Sequence, residues 1–361
     1  MARPIDQDAT LKLRIIRILY TQGYWSPLEV ELSEYNLDEL GVKRYSLTDL
    51  DVLGIRFDYN FSQTKVIADC KSGRNISDVE RLFWLNGVKA YFNAHEGYFV
   101  HPRIKSHAKT IALKLGLRAV DELALSNLEK SLGIEESLLP MCNLQSYQEI
   151  SNLWGIKIEK GTKPSSEELL IKKAFSYLSY NYWYTEQYRN TFSIIQRFND
   201  IAHLLSSSNP SHLLLCYVGV ERFTHSLLEA AKYIISYGLE DISQAARIYF
   251  YGGILSLRDR EQFFRLLKKT TGTREELEPA YWAEIIELLW RLIKHPKESV
   301  DILRHLFAAY LFCVHLKQPD LSQAGLGEKN TGTIVLTKDC ALTFAKIAGF
   351  SPAIFATLER L

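Results

Sequence analysis

The feature that most constrains the fold is a change of pattern near residue 165. Before about residue 135, segments with strand-like alternation are separated by segments with helical spacing. From residue 165 to about 316 the pattern is nearly all helical, with breaks at Gly and Pro. The sequence therefore predicts a mixed sheet flanked by helices over 1–135, a connector over 136–164 and an all-α domain over 165–361.

Individual elements follow from the same patterns. Apolar residues at helical spacing predict helices over 8–22, 76–93 and 106–116, the second of them capped by Ser77. Alternating or β-branched runs predict strands over 28–35, 45–58, 64–71, 97–102 and 333–337. Strands separated by helices predict a mixed or parallel sheet that is covered on both faces.

Composition narrows the class of protein. The 361 residues are 47% hydrophobic and carry a formal net charge of +1. The whole protein therefore has no strong positive charge that would indicate binding to nucleic acid. A local basic groove is still compatible with this net charge, because negative residues elsewhere would cancel it. The N-terminus lacks the layout of a secretory signal, and no run of 18 apolar residues predicts a membrane span. The cysteines form no CxxC pair (Cys70, Cys142, Cys216, Cys313, Cys340). We therefore expect a cytoplasmic protein without membrane contact.

The stretch "KVIADCKSG" (65–73) ends a predicted strand with an acid and a base. Side chains two apart on a strand lie on one face, so Asp69 and Lys71 would point the same way. Eighteen residues before Asp69, "TDLDVLG" places Asp49 and Asp51 on one face of another predicted strand. Acids in such an apolar strand are costly unless they hold something positive.

If these two strands are neighbours, Asp51 and Asp69 converge on one point. Carboxylate oxygens suit Mg²⁺ or Mn²⁺, and Lys71 beside the ion could orient or help deprotonate a water, or stabilise negative charge on a phosphate. These are the groups that phosphodiester hydrolysis needs. The simpler interpretation is a surface ion pair between Asp69 and Lys71, because a D-x-K triplet alone is common at strand ends.

The order of these pieces resembles the PD-(D/E)XK nuclease superfamily, in its restriction-endonuclease-like branch that includes Mrr-type enzymes. The resemblance covers about residues 8–135, and its matching segments are "RILYTQGYW", "SLTDLDVLGIRFD", "KVIADCKSG", "DVERLFWLNGVKAYF", "GYFVHP" and "AKTIALKLGLRAVDELAL". It rests on order and spacing, since each motif is short. The sequence departs from the family pattern in lacking a Pro before the first Asp and in having Asp where Glu is usual on the third core strand.

The resemblance implies a site. Asp51 would be the first metal ligand, Asp69 the second, and Lys71 the catalytic lysine, with Mg²⁺ or Mn²⁺ as the cofactor. The backbone carbonyl of Cys70 would be a further ligand, and Glu31 on the first strand is a candidate for an additional acid. Asp49 is the alternative to Asp51.

The resemblance also implies a function, namely metal-dependent endonucleolytic hydrolysis of DNA. Bacterial genome defence, including antiviral defence, or DNA repair would be its setting, with RNA as the alternative substrate. The helical domain would provide dimerisation, a grip on nucleic acid or docking to a partner protein. The competing hypothesis is an inactive nuclease fold that acts as a scaffold or nucleic-acid-binding subunit of a complex.

Overall fold

The protein was analysed as a computed structural model. The structure describes residues 7–38, 41–73, 76–134, 144–154, 164–238, 241–272, 276–317, 321, 324, 326 and 330–358. Cys142, residues 155–163 of the predicted connector and much of the predicted loop over 317–332 lie outside these ranges.

The first part of the chain alternates helices and strands, as its sequence pattern predicts. Its elements are α1 (Gln7–Thr21), β1 (Glu31–Asp38), β2 (Gly41–Asp49), β3 (Val52–Phe57), β4 (Gln63–Cys70), α2 (Asp78–Tyr91), β5 (Glu96–Val100), α3 (Ser106–Lys114), β6 (Arg118–Val120) and α4 (Glu122–Ser131). The helix α5 (Leu144–Leu153) follows within the predicted connector. Ser77 caps α2, since its hydroxyl accepts a hydrogen bond from the Glu80 N–H at 3.4 Å.

The regular elements of the second part, in its described residues, are all helices. Its α-helices are α6 (Ser166–Ser176), α7 (Tyr182–Tyr184), α8 (Gln187–Ile201), α9 (Pro210–Tyr237), α10 (Ile242–Phe250), α11 (Ile254–Thr271), α12 (Trp282–Lys294), α13 (Pro296–Ser299), α14 (Ile302–Ala308) and α15 (Thr331–Ala348). Two π-helical segments (Tyr177–Asn181 and Ala309–His315) and two 3₁₀ segments (Ala202–Leu204 and Pro352–Phe355) complete the list. The fold class is therefore α/β followed by all-α, as predicted.

The central sheet has the strand order β3-β4-β5-β6. β3 and β4 are antiparallel, whereas β4, β5 and β6 run parallel, with α2 and α3 as the crossover helices. Trp25 extends the sheet beyond β3 through two backbone hydrogen bonds with Ile55, each 2.8 Å long. The sheet is thus mixed, and the end of β4 lies between an antiparallel and a parallel neighbour.

The single strand predicted over 45–58 is wrong. The segment forms two strands in different sheets, because β2 pairs with β1 in a separate hairpin and the chain turns at Leu50 and Asp51 before β3 begins. The Leu50 N–H donates to the Val30 carbonyl at 2.9 Å, which ties this turn to the start of the hairpin. Asp49 and Asp51 therefore do not share the face of one strand.

The strand predicted over 333–337 is also wrong, since these residues belong to α15. Asn330 caps this helix by accepting a hydrogen bond from the Thr333 N–H at 3.3 Å. Residues buried at helical spacing include Ile334, Cys340 and Phe344. Burial of this apolar face outweighs the β-propensity of its Thr, Ile and Val residues.

One hydrophobic core runs through both parts of the chain. It includes Leu11 of α1, Ile67 of β4, Phe223 of α9 and Phe344 of α15. The helix α9 lies at its centre and is buried over most of its length. Even so, none of the helices in the described ranges is long and apolar enough to cross a membrane.

Candidate functional site

The start of β3 and the end of β4 lie side by side and bring Asp51 and Asp69 together. Val52 is paired with Ala68 in the antiparallel register, so Asp51, just before β3, lies opposite Asp69 near the end of β4. Both side chains are nearly enclosed, with 4% and 2% of their side-chain surface exposed. Two neighbouring carboxylates with so little solvent exposure require positively charged partners.

Lys71 contacts both carboxylates. Its Nζ lies 2.9 Å from Asp51 Oδ2 and 3.5 Å from Asp69 Oδ1. The backbone holds this arrangement, since the Cys70 N–H donates to Asp51 Oδ2 at 2.8 Å and the Lys71 N–H donates to the Val100 carbonyl of β5 at 3.0 Å. The structure thus brings Asp51, Asp69, Cys70 and Lys71 to one point.

Two further cations join this cluster, and sequence reasoning missed both. Lys12 of α1 places its Nζ 2.7 Å from Asp51 Oδ1. Arg81 of α2 forms a bidentate ion pair with Asp69, in which Nε donates to Oδ2 at 2.8 Å and Nη2 donates to Oδ1. We call Lys12, Asp51, Asp69, Lys71 and Arg81 the acid–base cluster.

The ion pairs of this cluster shift the pKa values of its members. Burial by itself would raise the pKa of Asp51, but the Lys12 ammonium and hydrogen bonds from Lys71 and Cys70 outweigh burial and lower it. Burial by itself would lower the pKa values of Lys71 and Lys12, but the carboxylates outweigh burial and raise both. All three groups are therefore charged at neutral pH.

The loop after Lys71 is fixed from two sides. The Asp8 carboxylate of α1 accepts a hydrogen bond from the Ser72 N–H at 2.6 Å. On the other side, His101 Nε2 lies 3.1 Å from the Gly73 carbonyl, and its Nδ1 lies 2.7 Å from the Arg103 carbonyl. These contacts position the exit of β4 and give His101 a structural role beside the cluster.

The other acidic candidates lie elsewhere. Glu31 is in β1, opposite Asp49 of β2, and its carboxylate forms an ion pair with Arg44 at 3.3 Å. Asp49 is exposed. Among the described residues, neither forms a hydrogen bond or ion pair with the acid–base cluster, although the Asp49 charge helps to raise the pKa of Lys12.

A divalent ion would find two carboxylates here, which are hard oxygen donors of the kind that Mg²⁺ and Mn²⁺ prefer. Within the described ranges, no group of three or more His, Cys, Asp or Glu residues is placed to hold a metal. The donor chemistry of Asp51 and Asp69 fits such an ion, and the ion would compete with Lys12, Lys71 and Arg81 for their oxygens.

No family model, curated protein or solved structure matches this chain. What the cluster does must therefore be inferred from its own chemistry. Its main properties are two enclosed carboxylates, a lysine that contacts both, and two flanking cations contributed by α1 and α2.

Proposed function

We propose that the protein is a metal-dependent nuclease that cleaves phosphodiester bonds within DNA. The observation that supports this most strongly is that Lys71 Nζ lies within 3.5 Å of both Asp51 and Asp69 at the end of two adjacent core strands. Two acids and a lysine so arranged match what the resemblance to PD-(D/E)XK nucleases implies. The order of strands and helices around them is compatible with the same assignment.

Asp51, Asp69 and the Cys70 carbonyl would hold the ion. A bound Mg²⁺ or Mn²⁺ supplies a Lewis acid for a phosphoryl oxygen and lowers the pKa of a bound water. The protein's own residues position the reacting groups. Since the fold encloses both carboxylates, they keep their orientation without solvent rearrangement.

Lys71 acts as a cation in this proposal. Its pKa is raised while it contacts Asp51 and Asp69, so its side chain is an ammonium in this arrangement. An ammonium at this position stabilises the negative charge that develops on the phosphate during cleavage. Charge stabilisation is therefore the role that this proposal gives to Lys71.

Arg81 is a candidate for contact with the substrate. Its side chain is 27% exposed, and its guanidinium lies 3.9 Å from the centre of the Trp84 ring while it holds Asp69. Guanidinium groups bind phosphate oxygens in the same bidentate geometry in which they bind carboxylates. When an ion takes Asp69, Arg81 would be free to contact the phosphate backbone.

A panel of substrates tests this function. The protein is incubated with supercoiled plasmid, linear duplex, single-stranded DNA and RNA, in Mg²⁺ or Mn²⁺ and in EDTA, beside Lys71→Met. We expect metal-dependent conversion of plasmid to nicked and linear forms by the wild type and none by Lys71→Met. Cleavage that persists in EDTA, or equally in Lys71→Met, would contradict the proposal, and cleavage of RNA alone would change the substrate.

A second function, binding of nucleic acid without cleavage, is favoured by one observation. Every oxygen of Asp51 and Asp69 already has a cationic partner, so the cluster is charge-compensated as it stands. Three cations against two carboxylates can attract a phosphate without a metal. In the panel above, this function predicts a gel shift with DNA in EDTA and no cleavage with any metal.

A further inference from the structure

A cavity of about 350 Å³ lies on the same strand as the acid–base cluster but at its other end. It opens between the hairpin, the start of β4, the end of α2 and the segment around α7. The residues that matter for its chemistry are Lys65, Tyr91, Phe92, Trp183 and Tyr184. Its volume falls at the lower end of the range for small-molecule sites.

The walls of this cavity are mostly aromatic. The rings of Phe92 and Trp183 lie 6.1 Å apart at an interplanar angle of 65°. Tyr91 and Tyr184 are 53% and 46% exposed, so their rings are open to a ligand from solution. Aromatic faces so placed favour a flat ring as the ligand, because stacking on them needs no particular hydrogen-bond pattern.

One side of the cavity carries a cation. The Lys65 ammonium lies 4.7 Å from the centre of the Phe92 ring. An ammonium donates hydrogen bonds and accepts none, so a ligand with acceptor atoms on one edge would be stabilised here.

An acceptor lies beside the cavity, bonded to its lining residue Tyr91. The Glu34 carboxylate accepts a hydrogen bond from the Tyr91 hydroxyl at 2.9 Å and one from the Tyr35 N–H at 3.0 Å. These hydrogen bonds, first that from Tyr35, lower the pKa of Glu34, so it is an anion at neutral pH. A ligand that extends past Tyr91 with an edge that donates hydrogen bonds would reach this carboxylate.

We propose that this cavity binds one unpaired nucleobase, stacked against its aromatic walls with its acceptor edge towards Lys65 and its donor edge towards Glu34. Nucleobases are flat and carry both kinds of edge, unlike simple aromatic acids. The inference rests on the proposed function, since the base would belong to the nucleic acid that the cluster acts on. A free mononucleotide is the other source of the same chemistry.

The position of the cavity suits a base near the reacting phosphate. Lys65 and Asp69 are four residues apart on β4, so they lie on the same face and about 13 Å apart, at about 3.3 Å per residue. A separation of this size is short compared with the nucleic-acid segment that a nuclease holds. An extruded or single-stranded base could therefore reach the cavity while its strand lies at the cluster.

Binding without cleavage tests the proposal. A short labelled DNA single strand and the same strand built with abasic sugars are titrated with full-length protein in EDTA, followed by fluorescence anisotropy. The wild type should bind the strand with bases at least about fivefold more tightly, since stacking of one base contributes at least about that factor. In Tyr184→Ala and Lys65→Gln this ratio should fall towards one.

The exposed aromatic Trp290 of α12 provides a matched control, because 45% of it is exposed and it lies outside the cavity. Trp290→Ala should keep the wild-type ratio. Calorimetry with deoxynucleoside 5′-monophosphates distinguishes the two sources: binding that Tyr184→Ala abolishes indicates a free nucleotide, and binding of the strand alone indicates a base within a strand.

The proposal is overturned if Tyr184→Ala, which alters an exposed residue, keeps the wild-type ratio, or if the wild type does not prefer the strand with bases. Because the assay contains no divalent metal, its result is independent of cleavage. Plasmid cleavage with no base preference would contradict only the cavity proposal. Base preference without cleavage would contradict only the nuclease proposal.

Discussion

At the scale of single residues, the charges of the acid–base cluster are unequal. Two carboxylates, Asp51 and Asp69, face three cations, Lys12, Lys71 and Arg81. The excess positive charge suits a phosphate, whereas the carboxylates suit a divalent ion. The cations that pair with Asp51 and Asp69 before the ion arrives should therefore weaken its binding.

Arg81→Gln tests this competition. Removal of the guanidinium leaves Asp69 without its bidentate partner, so Mn²⁺ no longer has to displace Arg81. We therefore expect Mn²⁺ to bind about tenfold more tightly, because a hydrogen bond to a charged group contributes about 1.5–3 kcal/mol. Calorimetric titration with Mn²⁺ measures the change. Arg118→Gln, in an exposed ion pair with Glu96 away from the cluster, is the control. Unchanged or weaker binding in Arg81→Gln would contradict the competition.

The stability that Asp51 contributes should depend on pH. Its pKa in the folded protein is lowered, so its contribution is present above the unfolded pKa of about 3.9 and is lost as the pH falls through the folded pKa. Asp51→Asn should therefore be less stable than the wild type at pH 7, and the gap should close below about pH 4. Urea unfolding across this range measures it, and a gap that widens towards acid pH would contradict the assignment.

At the scale of elements, local pattern was sufficient for part of the site. Because the side-chain period of a strand is two, the spacing of Asp69 and Lys71 predicted that they would act together. Their neighbour Asp51 followed from the expectation that two strands pair. Lys12 and Arg81 could not be found in this way, since each reaches the cluster only through the packing of its helix.

The errors in secondary structure have the same origin. The run 333–337 has β-propensity, but its environment in the helical part decides its conformation. The run 45–58 reads as one strand because the turn at Leu50 and Asp51 lacks Gly or Pro. That turn places Asp51 in the cluster and leaves Asp49 outside it, a difference that spacing alone did not reveal.

Gly54→Val tests how α1 is held against the sheet. A Cβ at Gly54 would lie 2.9 Å from Leu19 Cδ1 and 3.3 Å from a carbon of the Tyr24 ring, so a larger side chain would push α1 away from β3. We expect a loss of about 1–3 kcal/mol in the free energy of unfolding. Displacement of Lys12 from Asp51 should follow.

Chemical denaturation measures this loss. Gly87→Val, at a glycine of α2 whose Cβ would meet nothing within 4 Å, is the control, and no loss is expected there because helix propensity favours Val over Gly. A smaller loss in Gly54→Val than in Gly87→Val would contradict the close packing of α1 on the sheet.

At the scale of the whole molecule, the two parts are joined by buried contacts. The Trp25 indole N–H donates to Glu221 Oε2 of α9 at 3.2 Å, and Arg222 of α9 donates from Nη2 to the Leu28 carbonyl at 3.2 Å. Gln63, at the start of β4, lies 2.7 Å from His225 of α9. The helical part therefore packs against the sheet near the start of β4, whereas the cluster lies near the end of β4.

Residues 1–135 expressed alone should not form a stable fold. Without α9, Trp25 would lose its contacts with Glu221 and Arg222, and Phe57 would lose its contact with His225, so both buried rings would be exposed to water. Near-ultraviolet circular dichroism and limited proteolysis compare the fragment with the full chain. A fragment that resists the protease as the full chain does would contradict the continuous core.

The central claim is that Asp69 belongs to a hydrolytic site, and the rate of plasmid cleavage by Asp69→Asn tests it most directly. Asp49→Asn is the matched control, because Asp49 is exposed and, in the described residues, forms no hydrogen bond or ion pair with Asp51, Asp69 or Lys71. In Mg²⁺, we predict that Asp69→Asn lowers the single-turnover rate by roughly 10² or more, in line with the loss of one electrostatic contact in an active site. Asp49→Asn should cleave as the wild type does. Equal rates for Asp69→Asn and the wild type would contradict the account.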